Sequence, residues 1–275
     1  MDLMKGTIKV AALLVLLLPQ WGQASGGAAL PVQEWGFKGI FGKFDEAALK
    51  RGAKVAVGVC MNCHSLKYIK FDQMRAFGLP EAEIEAMAKD SGRSRKDRML
   101  SVMDAVSAKE TYGIEPPDLS LMTKARKGYE DYAYGILTGY LTDQESADIK
   151  KAMEDGKLSE TERMEVAHVL HMDPRHEDKL KEAITKLEGG GNFNKYFPGH
   201  FLAMPQPMQD GAVEYGDGTK ASLEQLSRDV VTFLAWAAEP TAEQRKGMGI
   251  GVMIYLLVFT AMLYAVKRRI WAKVH

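Results

Sequence analysis

The chain has 275 residues, of which 46% are hydrophobic and 26% charged, so it can bury a sizeable core and is not a disordered chain. Its formal net charge is zero, but residues 1–24 contribute +1 and residues 247–275 contribute +4, which leaves −5 on residues 25–246. An acidic body argues against nucleic-acid binding and favours association with a basic protein partner.

Residues 1–24 have the layout of a secretory signal peptide. Lys5 and Lys9 precede an apolar run at 10–18, and small residues follow around Ala24. The apolar run is too short to cross about 30 Å of hydrocarbon, which disfavours an N-terminal membrane helix. The sequence therefore predicts export of the chain, with cleavage after Ala24 or a few residues later.

The two cysteines of the chain form a Cys-x-x-Cys-His motif at residues 60–64, directly after a segment, 44–59, with apolar residues at helical spacing. This motif is typical of a covalently attached c-type haem. A redox disulfide would not need His64, and a zinc site would need a second cysteine pair that the sequence lacks. We predict one haem c, attached through Cys60 and Cys63, with its iron bound by His64.

The middle of the chain is expected to be mostly helical and charged as far as Met103. The Glu-Pro-Pro-Asp-Leu-Ser segment at 115–120 breaks that pattern, and another helix is expected over 124–140. Phe41 and Phe44 are expected to cover the helix that precedes the haem motif.

Residues 143–191 differ in character and are interpreted as a helical insertion. The segment is rich in acidic residues, poor in aromatic residues, and ends on three glycines at 189–191. It contains three histidines, His168, His171 and His176, and the first two could share a helix face and bind a metal. Histidines in a charged helical insertion are more often solvated side chains.

The iron of such a haem commonly takes methionine or histidine as its second axial ligand, and methionine raises the reduction potential towards that of an electron carrier. Two of the sixteen methionines, Met204 and Met208, lie in a stretch where Pro198, Pro205 and Pro207 forbid a regular helix. A stiff extended loop can hold a thioether against iron. The spacing alone does not choose between the two methionines.

The C-terminal part of the chain predicts an amphipathic helix over 223–238, a short polar link and then a membrane anchor at 247–267. Nineteen uncharged residues at 248–266 would rise about 28 Å as a helix, which spans a bilayer. The basic residues that follow predict that the tail, 268–275, is cytoplasmic and that the body, 25–246, lies on the other side of the membrane. We therefore expect a single-pass membrane protein.

Several blocks of the chain, in one order, resemble the cytochrome c1 family, bacterial type. They are WGFKGIFGKFDEAALKRG, CMNCHSLKYIKF, PPDLSLMTKARKGYEDYAYGILTGYL, YFPGHFLAMPQPM and EYGDGTKASLEQLSRDVVTFLAWAAEP. The resemblance implies a mainly α fold: a class I cytochrome c-like haem domain with a helical insertion and one C-terminal transmembrane helix.

The resemblance also implies roles for individual residues. Met204 becomes the expected sixth iron ligand and Met208 the runner-up. Arg126 matches an arginine that pairs with a haem propionate, for which a guanidinium is well suited. Tyr132 matches an aromatic position near the haem, and Pro117 is expected to pack beside it.

By the same resemblance, the chain is expected to be no enzyme on its own but an electron-transfer subunit of ubiquinol:cytochrome c oxidoreductase, the cytochrome bc1 complex. The implied partners are cytochrome b, a Rieske iron-sulfur protein and an acceptor cytochrome c, within a dimeric complex. Two alternatives stay open: a membrane-tethered cytochrome that shuttles electrons between complexes, and a haem enzyme whose sixth iron position is free.

The chain departs from the family pattern at two segments. The Asn-rich stretch usual before PPDLS is replaced by SAKETYGIE, which puts that contact near the haem edge in doubt. The insertion is longer than the connection in mitochondrial relatives. With only two cysteines the extra disulfide of some bacterial members is impossible. Packing must therefore hold both the insertion and the loop that carries Met204 and Met208, which we call the methionine loop.

Overall fold

The structure, a computed structural model, describes residues 29–152 and 158–272, so the predicted signal peptide lies outside the described residues. The described chain is mainly helical, as expected. In chain order its α-helices are α1 (Glu46–Gly58), α2 (Glu81–Asp90), α3 (Ala105–Tyr112), α4 (Met122–Ala125), α5 (Tyr129–Thr138), α6 (Asp143–Ala152), α7 (Glu160–Val169), α8 (Glu177–Glu188), α9 (Leu223–Ala238) and α10 (Ala242–Trp271).

Short 3₁₀ helices and strands complete the described secondary structure. The 3₁₀ helices are Cys60–Asn62 and Phe71–Phe77. The strands form two antiparallel pairs, which the sequence did not predict: β1 (Leu66–Lys70) with β2 (Arg98–Met99), and β3 (Asn192–Phe193) with β4 (Phe201–Leu202). Each pair joins the two ends of a loop, and neither forms part of a larger sheet.

The principal core forms where α1 crosses α9, with α4 and α5 also packed on α9. Asp45 caps α1 by accepting hydrogen bonds from the N–H groups of Ala47 and Ala48, at 2.9 and 3.3 Å. At the crossing, a Cβ on Gly52 would lie 2.0 Å from the carbonyl oxygen of Asp229. The two helix backbones therefore touch, and glycine at 52 is a requirement of the fold.

A buried ion pair lies beside this crossing. Arg51 reaches from α1 to α9, where its Nε and Nη2 atoms contact the two carboxylate oxygens of Asp229 at 2.8 and 3.1 Å. Its Nη1 atom contacts Asp217 at 2.8 Å. The Asp229 side chain is 1% exposed, so the arginine compensates a charge that water cannot reach.

The insertion folds around a small second core, which we call the insertion core. Its buried residues come from α6, α7, the residue that follows α7, α8 and β3, and they are Ile149, Val166, Ala167, Leu170, Leu180, Ala183, Ile184 and Phe193. Phe201 of β4 packs against this cluster. The insertion and the start of the methionine loop are thus joined by apolar packing.

Two local expectations were wrong. The single helix expected over 124–140 is divided into α4 and α5, because Gly128 at the start of α5 has φ +95°. Phe41 does not cover α1 but is 84% exposed, whereas Phe44 stacks on Phe37 with ring centroids 4.8 Å apart.

The junction between the body and the predicted anchor is shorter than expected. Only residues 239–241 separate α9 from α10, and α10 is long and apolar enough to cross a membrane. In the junction the Glu239 carboxylate pairs with Lys124 of α4 and with Arg245 of α10. The ion pairs connect the anchor helix to the body through side chains as well as through the backbone.

Candidate functional site

The end of α1 leads directly into the Cys-x-x-Cys-His turn. The helix ends at Gly58, and residues 60–64 form a tight turn in which the N–H of His64 donates to the carbonyl of Cys60 at 2.8 Å. Met61 in the middle of the turn is fully buried, while both cysteines and the histidine are half-buried. The turn is therefore anchored in the core by Met61 and keeps three reactive side chains near the surface.

The His64 ring is oriented by one hydrogen bond. Its Nδ1 atom lies 2.7 Å from the carbonyl oxygen of Pro117. A carbonyl only accepts, so Nδ1 carries the hydrogen and Nε2 keeps its lone pair for a metal. Burial lowers the pKa of His64, which favours the neutral imidazole that ligation requires. Pro117 was expected to pack beside a haem, and its backbone contact with His64 was not foreseen.

The segment that carries Pro117 is itself fixed to the chain after His64. The N–H of Leu119 donates to the carbonyl of Ser65 at 2.8 Å. Asp118 accepts from the N–H of Lys67, also at 2.8 Å, and Ser120 Oγ accepts from the N–H of Tyr68 at 3.1 Å. These contacts hold the carbonyl of Pro117 in place, so the orientation of the imidazole rests on a network rather than on one bond.

A second segment supports the turn from its other side. The N–H of Val102 donates to the carbonyl of Met61 at 2.8 Å, and the N–H of Met103 donates to the carbonyl of Asn62 at 3.0 Å. The following helix, α3, brings Tyr112 to Cys63: repulsion from the Cys63 thiolate raises the pKa of Tyr112. The SAKETYGIE segment therefore places a phenol beside the second cysteine, a contact that the sequence did not indicate.

The Cys60 thiol does not have the chemistry of a redox-active cysteine. Burial raises the pKa of Cys60 to about 12, whereas the reactive cysteine of a redox Cys-x-x-Cys pair has a lowered pKa. Cys60 therefore stays a neutral thiol at neutral pH. This disfavours the redox-disulfide alternative and leaves the thiol available for thioether formation.

The two candidate methionines differ in burial and in what holds them. Met208 is 4% exposed and belongs to the principal core. Met204 is half-buried, and its carbonyl accepts a hydrogen bond from the buried Tyr140 hydroxyl at 2.9 Å. The carbonyl of the preceding Ala203 accepts from Asn192 at 3.3 Å. The loop backbone is thus fixed at Met204 while the thioether is not committed to the core.

Arg126 and Tyr132 lie next to each other at the break between α4 and α5. Burial raises the pKa of the Tyr132 phenol, and the neighbouring Arg126 guanidinium opposes that shift. Arg126 is exposed, and its side chain donates to the carbonyl of Ala125 at 3.5 Å. Among the described residues no carboxylate lies within ion-pair distance of Arg126, so its charge is available to an external anion.

Exposed apolar side chains accompany the segments that bracket the turn. They are Val102, Val106, Ile114, Leu121 and Tyr129. Exposed apolar side chains on these segments suit a flat apolar macrocycle that would cover them. Together with the free Nε2 of His64, this donor set fits a covalently held haem.

The histidines of the insertion are not gathered into a comparable site. His171 stands edge-on to the Tyr196 ring, with centroids 5.6 Å apart, and His168 is exposed. Over residues 29–152 and 158–272, no group of three or more His, Cys, Asp or Glu side chains is arranged to hold a metal ion. The chemistry-bearing residues of the described chain therefore concentrate around His64.

Comparison with known proteins gives consistent matches along the chain. A family model described as the Cytochrome C1 family matches residues 35–274. Cytochrome c1 of Rhodospirillum rubrum is 36% identical over 287 residues, which cover 96% of each chain. The cytochrome b/c1 protein of Bradyrhizobium diazoefficiens is 35% identical over 89% of this chain and 36% of its own length. The cytochrome b-c1 complex catalytic subunit of Candida albicans is 31% identical over 91% of this chain and 80% of its own.

Proposed function

The chain belongs to the cytochrome c1 family, and we propose that it is the haem-carrying electron-transfer subunit of a ubiquinol:cytochrome c oxidoreductase, the cytochrome bc1 complex. In that role it takes one electron at a time from a Rieske iron-sulfur protein and passes it to a cytochrome c. The observation that carries the proposal is the His64 imidazole, held by the carbonyl of Pro117 directly beside the two half-buried cysteines.

Within this proposal, Cys60 and Cys63 would hold one haem c through thioether bonds, and His64 and Met204 would bind its iron. A bound haem c would supply a one-electron iron couple. The Pro117 carbonyl orients His64 and keeps its Nε2 unprotonated. Tyr140 fixes the backbone of the methionine loop at Met204, and burial of Met208 in the principal core favours Met204 as the ligand.

Arg126 is proposed to pair with a propionate, with Tyr132 beside it. Its guanidinium has no carboxylate partner among the described residues, and it lies on the segment that follows Leu121, one of the exposed apolar side chains near the turn. A bidentate contact would compensate the anion and hold the edge of the cofactor. Pro117 acts through its backbone and is a positioning residue.

We further propose that the body is periplasmic and that α10 crosses the inner membrane once with its C-terminus in the cytoplasm. The length and apolar character of α10 and the basic residues at its C-terminal end support this orientation. Cytochrome b is the proposed neighbour of α10 in a dimeric complex. The names of the Bradyrhizobium and Candida relatives, which couple b with c1, support that partner.

The junction disfavours the tethered-shuttle alternative. A shuttle requires a long flexible linker, but the link at residues 239–241 is short. Within it, Glu239 forms ion pairs with Lys124 of the body and with Arg245 of α10. The net charge of −5 on residues 25–246 supports docking of a basic acceptor, with a rate that falls as salt increases.

Two measurements test the proposal. Reduced membranes or purified protein should give a low-spin c-type spectrum that carbon monoxide leaves unchanged; a high-spin haem that binds carbon monoxide would establish the haem-enzyme alternative instead. Purification in mild detergent should recover the chain with cytochrome b and a Rieske protein. Recovery of the chain alone, with a normal spectrum, would contradict the complex while leaving the haem site intact.

A further inference from the structure

A short loop next to the anchor helix exposes two large apolar side chains in a closed, rigid frame. We call residues 35–44 the finger loop. Its base is buried and aromatic: Trp35 and Phe37 lie in the principal core, and Phe44 stacks on Phe37. Its tip is also apolar but is exposed to solvent: Ile40 is 67% exposed and Phe41 is 84% exposed.

The frame of the loop prevents the tip from folding back onto the core. The N–H of Lys38 donates to the carbonyl of Trp35 at 3.0 Å, and the N–H of Lys43 donates to the carbonyl of Gly36 at 3.2 Å. A Cβ on Gly42 would lie 2.0 Å from the carbonyl oxygen of Lys38, so the two sides of the loop touch. The exposure of the tip is therefore imposed by the backbone.

The loop is bound to the first turns of α10. Lys246 donates to the carbonyls of Phe37 and Gly42 at 2.6 and 3.0 Å, and Glu243 accepts from the N–H of Phe44 at 2.8 Å. The uncharged stretch of α10 begins immediately after Lys246. Two residues of helix rise only about 3 Å along the helix axis, so Lys246 lies close to the start of that stretch. The base of the loop therefore lies at the level where the membrane-spanning part of the chain begins.

We propose that the finger loop is a second, interfacial membrane contact: Ile40 and Phe41 enter the headgroup region of the bilayer that α10 spans, with Lys43 beside anionic headgroups. Two residues of extended chain reach about 7 Å, so the tip can reach the 5 to 10 Å zone in which interfacial side chains are found. An aromatic residue next to lysine suits that zone. Lys38 is paired with Glu130 at 3.1 Å, so the proposed contact with anionic headgroups is assigned to Lys43.

Such a contact would give the body two attachments to the membrane instead of one. A single helix fixes the distance of the body from the bilayer but permits rotation about the helix axis. A loop tip that enters the interface beside that helix opposes such rotation. The inference rests on the proposed membrane anchoring by α10.

The test uses the full-length holoprotein in vesicles of equal parts phosphatidylcholine and phosphatidylglycerol, without other subunits. A nitroxide is attached at Phe41→Cys and, as the control, at Met164→Cys in α7, a methionine that is 57% exposed in the insertion. We expect the label at position 41 to collide several-fold less often with an aqueous nickel complex, and more often with oxygen, than the label at position 164. Equal nickel accessibility at the two positions would overturn the inference.

Two further measurements distinguish the loop contact from anchoring by α10 and from docking on a protein partner. Flotation of the same vesicles reports the anchor: a chain that floats with an aqueous label at position 41 refutes only the loop contact, and a chain that does not float refutes both. Shielding of position 41 that appears only after purification with cytochrome b would mean that the tip docks on protein, which also contradicts the lipid contact.

Discussion

The principal core and the insertion core are stabilised by different kinds of interaction. In the principal core, α1 and α9 touch at backbone distance through Gly52, a buried ion pair joins them, and the site segments are connected by main-chain hydrogen bonds. The insertion core has a smaller apolar cluster, and the ion pair of Lys181 with Glu177 lies on an exposed helix surface.

This difference corresponds to what each region has to do. A ligand set must keep its atoms within a fraction of an ångström, so the elements that carry it need constraints with little freedom. The insertion carries no comparable arrangement of donor side chains in the part of the chain that the structure describes. We therefore expect substitutions to have large effects near α1 and α9 and small effects on the surface of α6, α7 and α8.

The largest effect is expected from Gly52→Val. Its side chain would clash with the carbonyl of Asp229 and force the α1–α9 crossing apart, at a cost of more than about 3 kcal/mol. Immunoblots and haem-stained gels of membranes should show little or no holoprotein. The matched control is Gly58→Ala at the end of the same helix, where a Cβ meets nothing within 4 Å. Normal accumulation of Gly52→Val would show that the crossing tolerates separation.

Met204→Leu should remove the methionine-to-iron charge-transfer band and lower the reduction potential by on the order of a few hundred millivolts, because axial ligation is the main determinant of potential. Redox titration of the purified protein measures both. Met208→Leu is the control: a volume-conserving change in the principal core, it should cost under about 1.5 kcal/mol and leave the potential unchanged. If Met208→Leu shifts the potential instead, the ligand is misassigned.

Arg51→Met should destabilise the body by about 3 kcal/mol, because it leaves the buried Asp229 without a cation. Denaturation followed through the haem absorbance measures the loss. Arg51→Lys keeps the charge but not the bidentate contact and should recover part of the stability. An Arg51→Met protein as stable as the parent would mean that the buried Asp229 carboxyl does not need the arginine.

Much of this pattern follows from the sequence, and the exceptions have identifiable physical causes. The helix over 223–238, the haem motif at 60–64 and the apolar C-terminal helix depend on local periodicity and spacing, and each was predicted. The contact between His64 and Pro117 joins residues 53 apart. It results from how the 116–120 segment pairs with residues 65–68, and a single sequence carries no signal for such pairing.

The insertion was predicted to be helical, but its packing could not be predicted for a related reason. Its high charge describes only the outward faces of its helices. The buried positions of α8, Leu180, Ala183 and Ile184, recur at helical spacing and form an apolar stripe. What the stripe packs against depends on Phe193 and on the return of the chain through β4, which periodicity does not reveal.

The junction should respond to acid. Arg245 and Lys124 lower the pKa of Glu239 from 4.5 to about 2, and a carboxyl whose pKa is lowered in the folded state stabilises it above the unfolded pKa. That contribution is complete above about pH 5 and is lost as the pH falls from 4.5 towards 2. Melting temperatures of Glu239→Gln, measured across this window in detergent, should fall less with acid than those of the parent. Parallel curves would show that the junction ion pairs contribute nothing.

The smallest effect is expected on the surface of the insertion, from Lys181→Met. Its ion pair with Glu177, at 2.6 Å, joins two exposed side chains on one face of α8, where water and salt already screen both charges. We expect no measurable change in melting temperature. The adjacent Leu180→Ala is the informative control, because Leu180 is fully buried in the insertion core and its truncation should cost about 2 to 3 kcal/mol. A marked loss from Lys181→Met would mean that the insertion, like the principal core, depends on its ion pairs and that the contrast between the two regions is wrong.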